Sequence, residues 1–159
     1  MTCRRCAATN GKSHSFEKIG ILKDTKTAVY YTSPKLALEP EDSPEAVEDY
    51  LLHFNTTRPN PWIWIFDCKG MKSKDLIVSG VGKRLAEALQ TNYIDTLKGV
   101  YVINPTWAMK AFLNFIMKFL HPNTRALVHV CSLGPLDILQ RLQSIGLEDN
   151  QNLIRVLQS

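Results

Sequence analysis

Trp62–Asp67, WIWIFD, is the stretch on which the fold turns. Alternate side chains of an extended strand point to opposite faces. Trp62, Trp64 and Phe66 therefore point one way, and Ile63 and Ile65 the other. Both sets are apolar, so the strand needs cover on both sides, as strands in α/β sheets have. Asp67 and the polar CKGMKSKD that follows close it.

Upstream, Lys18–Leu22 and Ala28–Thr32 are β-prone runs separated by the turn-like KDTKT, which predicts a hairpin. Pro34, Pro40 and Pro44 punctuate an acidic loop. Ser43 before Pro44 marks a helix start, with Ser as N-cap and Pro at the first helical position. Val47, Tyr50, Leu51 and Phe54 carry that helix to about Thr56, where RPNP (Arg58–Pro61) stops it.

Downstream, Leu76 to about Thr91 predicts a helix with Ile77, Val81, Leu85 and Ala88 along one stripe. Gly80 and Gly82 each weaken it by about 1 kcal/mol relative to Ala and let a ligand or a backbone come close. GVGKR (Gly80–Arg84) is no phosphate loop, because Ile77 and Arg84 stand where that pattern needs a Gly and a Ser or Thr. Val100–Asn104 and Ala126–Cys131 read as further covered strands. Pro135 opens a helix carrying Leu136, Leu139 and Leu142, and a last short helix is expected around Asn152–Leu157. With the hairpin, this order predicts an α/β fold with a largely parallel five-stranded sheet and right-handed crossovers.

One segment strains that scheme. Trp107–Leu120, WAMKAFLNFIMKFL, is apolar at eleven of fourteen positions, and Lys110, Asn114 and Lys118 fall four apart in one narrow stripe. A helix this apolar belongs in a large core or a membrane. Its rise of about 21 Å is that of fourteen residues, short of the roughly 20 residues a bilayer span needs. A helix with one face on the sheet and another toward an apolar ligand or a membrane surface satisfies both facts.

Composition sets the remaining bounds. The chain is 45% hydrophobic and 21% charged with a formal charge of +4, ordinary values for a globular domain. There is no apolar run of transmembrane length and no signal-peptide pattern at the start, so a cytoplasmic protein is expected. Basic and aromatic residues do not cluster as a nucleic-acid surface requires, so no nucleic acid is expected among its partners. Residues 1–15 read as a basic flexible tail with Arg4, Arg5 and Lys12, and residues 16–159 as a single domain. Cys3 and Cys6 have the C-x-x-C spacing of half a zinc site, and His14 offers a third ligand. A structural site needs four, and no fourth stands nearby. The two thiols are read as exposed, with no metal site and no cofactor.

Together these segments resemble the CRAL-TRIO lipid-binding domain family of phosphatidylinositol and phosphatidylcholine transfer proteins, over roughly Phe16 to Ile145. KDTKTAVYYT sits where that family has a D-x-x-x-R-P-V hairpin, and WIWIFDCKGM is similar to its strand ending in D-x-x-G. LQTNYIDTLKGVYVINPTW resembles its Q-x-N-Y-P-E-R-L…I-I-N-x-P stretch through Tyr93, Leu97, Ile103, Asn104 and the displaced Pro105. AFLNFIMKFLHPNTRALVHV resembles its gate helix, F…F-L-x-P-x-T, and the next strand. Asp95 matches the Glu position of phosphatidylinositol-transferring members, whereas Leu127 stands at their Lys position, with Arg125 two residues away. A helical segment ahead of the hairpin and the closing L-P…G-G pattern are missing. The chain thus resembles a minimal or divergent member, near the short branch that includes the BCH-type domains associated with Rho-GAP proteins.

The resemblance implies a lipid pocket floored by the sheet and closed by residues 107–120. Its expected lining is Trp64, Phe66, Val81, Leu85, Tyr93, Tyr101, Ile103, Trp107, Phe112, Phe115, Ile116 and Phe119. Asp95 and Arg125 are headgroup candidates, and Lys110 and Lys118 are membrane contacts. The expected partners are a lipid ligand and, transiently, a membrane surface. The alternative is a non-catalytic scaffold that binds a small GTPase or itself. A small α/β enzyme is disfavoured, since His53, His121 and His129 are isolated and no Ser/His/Asp or Cys/His set can be named. Asp67 is read as a turn or cap residue, and Cys68 and Cys131 as small buried hydrophobes.

Overall fold

The computed structural model describes residues 3, 6–7, 15–23, 25–33, 44–71, 79–131, 135–147 and 150–158. Strands β1 (Glu17–Ile21), β2 (Ala28–Thr32), β3 (Trp62–Asp67), β4 (Leu97–Ile103) and β5 (Val128–Cys131) form one sheet in the order β1-β2-β3-β4-β5. Only β1 is antiparallel to its neighbour; β2 to β5 run parallel. The helices are α1 (Pro44–Asn55), α2 (Ser79–Asn92), α3 (Trp107–Met117), α4 (Pro122–Arg125), α5 (Pro135–Ser144) and α6 (Gln151–Gln158).

Sequential order explains which helix covers which face. When each parallel strand is laid beside the last in one direction, crossovers of one hand all fall on the same side of the sheet. Accordingly α1, α2 and α3 share a face, here called the crossover face: Val47, Phe54, Leu85 and Leu89 pack on Trp62 and Trp64, and Met109 packs on Val102. The opposite face would then be bare. The chain covers it after β5, where α5 and α6 bring Ile138, Leu142, Leu153 and Val156 against Val29, Ile63, Ile65 and Ile103. Arg155 reaches Glu17 at 2.6 Å across this closure. The two apolar faces of WIWIFD thus meet two different sets of helices.

Several boundaries depart from the sequence reading. β4 begins at Leu97 rather than Val100, since Leu97 already pairs with Trp62. The long apolar helix stops at Met117. Lys118, Phe119 and Leu120 donate to the carbonyls of Phe115, Ile116 and Met117, three residues back, tightening its last turn. Pro122, which disfavours helix in the residue before it, opens the separate turn α4, so β5 starts at Val128 instead of Ala126. The expected Ser43 cap and the start of the helix predicted from Leu76 lie outside the described residues.

Candidate lipid-binding face

α3 positions the residues of interest. Thr106 caps it, its hydroxyl accepting from the Met109 N–H at 3.1 Å. It leaves the carboxyl end of β4 and runs back over the crossover face. Met109, Ile116 and the following Leu120 are buried, and Phe112 and Leu113 pack partly against Val100, Val102, Val128 and Phe66. The outward side is not polar. Trp107 is 83% exposed, Phe115 48% and Phe119 44%, and with the exposed Ala111 they form one row at four-residue spacing. Phe115 and Phe119 meet edge to face with centroids 5.2 Å apart. Lys110, Asn114 and Lys118, all exposed, form the adjacent row. Lys83 of α2 places its ammonium 4.4 Å from the Phe119 ring centroid.

The twelve expected lining residues do not converge. Phe66, Phe112 and Ile116 lie between α3 and the crossover face, and Trp107, Phe115 and Phe119 face outward from the same helix. Trp64, Leu85 and Tyr93 are buried in an aromatic block with Phe16, Tyr30, Phe54 and Trp62. Its rings sit 4.7 to 6.4 Å apart, so this half of the crossover face is filled by the protein's own side chains. Tyr93 donates to Asn55 Oδ1 and lies under the Arg58 guanidinium. The Val81 side chain lies outside the described residues. Tyr101 and Ile103 project to the other face: Ile103 is in the core beneath α5 and α6, and Tyr101 stacks on His129 at 5.0 Å. This is a correction forced by strand alternation, because Val100 and Val102 already point toward α3.

Val130 follows from the same alternation. It pairs with Val102 and faces the α3 side, yet is 43% exposed. The crossover face is therefore incompletely covered at its β5 edge, beside α3. Asp95 and Arg125 are exposed at the opposite, amino-terminal end of β4 and β5, and Leu127 packs on the aromatic block.

A polar node closes the carboxyl ends of the central strands. Asp67 is buried, accepting from Tyr31 Oη at 2.5 Å, Asn104 Nδ2 at 2.9 Å and the Lys69 N–H at 2.9 Å. Burial, then this carboxylate, raises the Tyr31 phenol well above its ordinary value. Asn104 has φ of +50°, a left-handed conformation that Asn adopts more readily than most residues. The node satisfies itself internally, which fits a structural role for Asp67. Sequence spacing could not have joined Tyr31 to it, since only the β2–β3 register brings them together.

The start of the chain differs from expectation. Cys3 and Cys6 are buried rather than exposed, and Cys6 Sγ lies 3.3 Å from His53 Nε2 of α1. The third partner stands 47 residues from Cys6, so local spacing could not show it. His14 lies outside the described residues.

A sequential, mostly parallel sheet covered by helices on both faces, one of them outwardly apolar, defines an α/β class of domain. The family model described as the CRAL/TRIO domain matches residues 45–143, more than half of the chain. The chain belongs to this CRAL/TRIO family, a lipid-binding and lipid-transfer class. Among solved structures it is similar to "Crystal structure of Sfh5", with TM-score 0.54 and 19% identity. That match covers 74% of this chain and 46% of the other, so the chain spans less than half of that protein's length. A search of curated proteins found no match.

Proposed function

We propose that the chain binds a phospholipid or similar amphiphile without chemical turnover and exchanges it at a membrane surface through α3. The observation that carries this reading is the double row on α3. A soluble domain gains nothing by presenting Trp107, Phe115 and Phe119 to water, and a contiguous exposed apolar patch marks an interaction surface. An apolar row beside Lys110 and Lys118 matches an anionic bilayer interface, where the rings enter the acyl boundary and the ammonium groups meet headgroups. The ligand's acyl portion is assigned to the β5 side of α3, against Phe66, Phe112, Val102, Val128 and Val130. The β2–β3 side is occupied by the aromatic block. Arg125 and Asp95 are the headgroup candidates at the far end. On this reading the protein works in the cytoplasm, peripheral to membranes.

Native mass spectrometry of the purified protein, with lipid extraction, tests the proposal. One mole of lipid per mole of protein is the expected result; an empty mass that persists after incubation with mixed vesicles overturns it. The self-filled aromatic block favours a second reading, in which the α3 surface docks a protein. An empty chain that captures a small GTPase or self-associates through Phe115 would establish that instead.

A further inference from the structure

We infer that Cys3, Cys6 and His53 form a binding site for one thiophilic divalent cation of the zinc class. The lipid reading makes no use of these residues, and three independent features bring them together. First, the Ala7 N–H donates to the Cys3 carbonyl at 2.9 Å, which holds Cys6 and Cys3 close to one another. Second, both cysteines are buried against α1, and the two Sγ atoms and one imidazole nitrogen all lie within 4.8 Å of one another. Third, the Cys6 Sγ to His53 Nε2 separation is 3.3 Å. For zinc bonds to sulfur and nitrogen at tetrahedral angles, neighbouring ligand atoms are about 3.5–3.8 Å apart. Small side-chain adjustments suffice to admit the ion.

The charge balance favours a soft divalent cation over other occupants. On binding, each thiol gives up its proton to solvent; a divalent ion neutralises the two thiolates that result, and a neutral imidazole completes the donor set. Zinc suits this sulfur–nitrogen set, whereas magnesium and calcium require oxygen donors. Asp49 lies one turn before His53 on α1 and is buried, and it acts electrostatically on the imidazole. The fourth position falls to water. An ion bound here ties Cys3 and Cys6 to α1, whose His53 also touches Phe16 and Tyr50. The site thus pins the chain's start over the aromatic block, remote from α3.

The test uses the full-length chain, reduced and stripped of metal. Titration with cobalt(II) is expected to give a thiolate-to-cobalt charge-transfer band saturating at one equivalent, which zinc then abolishes. Cys6→Ser or His53→Gln is expected to weaken cobalt binding at least tenfold, as loss of a ligand must exceed an outer-shell defect of about tenfold. Cys131→Ser, on the other face, leaves it unchanged. Because a ligand variant can fail to fold, the unmodified chain is also alkylated with and without zinc, and protection of Cys3 and Cys6 is read by peptide mass spectrometry. Absence of the band, its survival in Cys6→Ser, or equal alkylation of Cys3 and Cys6 in both conditions overturns the site. None of these readouts depends on lipid binding, so the two proposals stand or fall separately.

Discussion

Removing the outward aromatic groups of α3 separates a membrane-contacting helix from an ordinary core helix. The perturbation is the double substitution Trp107→Ala, Phe115→Ala. Full transfer of a Phe side chain from water is worth about 1.5–3 kcal/mol, and Phe115 keeps roughly half of itself outward, leaving about 1 kcal/mol. A Trp offers on the order of 200 Å². At about 25 cal/mol per Å² and with Trp107 83% exposed, it adds up to about 4 kcal/mol. A helix lying in the interface immerses one side only, so roughly half of that sum is realised. The double variant should therefore lose about 2.5 kcal/mol of membrane binding, roughly a 70-fold fall in the partition coefficient. The assay is co-sedimentation with vesicles containing an anionic phospholipid, with urea unfolding alongside. Stability should change by no more than about 0.5 kcal/mol, as at other exposed positions. Unchanged partitioning refutes the membrane assignment. Destabilisation well beyond that bound shows instead that the two rings support the core.

Other expectations follow from the same geometry. Phe54→Ala, at the centre of the aromatic block, should cost about 3–5 kcal/mol in urea unfolding, because rigid neighbouring rings cannot collapse into the space. In a double-mutant cycle, Tyr31→Phe and Asp67→Asn should show a coupling of about 1–3 kcal/mol; additive effects would dissolve the node into independent contacts. Burial first, and then Arg141, depress the His129 pKa below 6.5, so the folded state prefers the neutral ring. That contribution is present above pH 6.5 and is lost as pH falls below it; His129→Gln should flatten this part of a stability–pH profile. Val130→Trp should block the ligand space beside α3, reducing bound lipid by native mass spectrometry while vesicle partitioning through Trp107 and Phe115 persists.

Most of the architecture was legible because covered strands announce themselves. WIWIFD carries its two-sided burial in its own alternation, and the strand–helix order after it leaves few topologies. The extent of β4 was less visible: Lys98 and Gly99 look like turn residues, and pairing with β3 overrides their weak strand preference. The single turn α4 was missed because four residues carry no period. The site was legible only along α3, where chemistry follows from the segment's own pattern. Which neighbours face α3 depends on register, which sets Tyr101 and Ile103 on the other face and Val130 on the α3 side. Cys3 and Cys6 showed their C-x-x-C spacing in the sequence, but the imidazole beside them, His53, comes from α1, and only folding brings it near.

The excess of apolar surface on the 107–120 segment has a topological origin. Sequential strand order sends every crossover helix to one face, and α1 and α2 with their aromatic partners already fill the half over β2 and β3. Among the described residues α3 covers the carboxyl half of β4 and the short edge strand β5, with Met109, Phe112, Leu113 and Ile116 turned inward. The outward row is therefore surplus to folding. Surplus apolar side chains on a helix carry a solubility cost, and at α3 they stand beside lysines on the one helix bordering the incompletely covered edge at Val130. On the proposed function, contact with a bilayer and access to the space beneath would be joined in one element: movement of α3 away from β5 would open that edge while its outer rings stayed in the membrane. On the same proposal, with the aromatic block filled and Leu127 apolar just before β5, a headgroup would be held from exposed positions such as Arg125 and Asp95, and recognition would rest more on the acyl portion than on a buried ion pair.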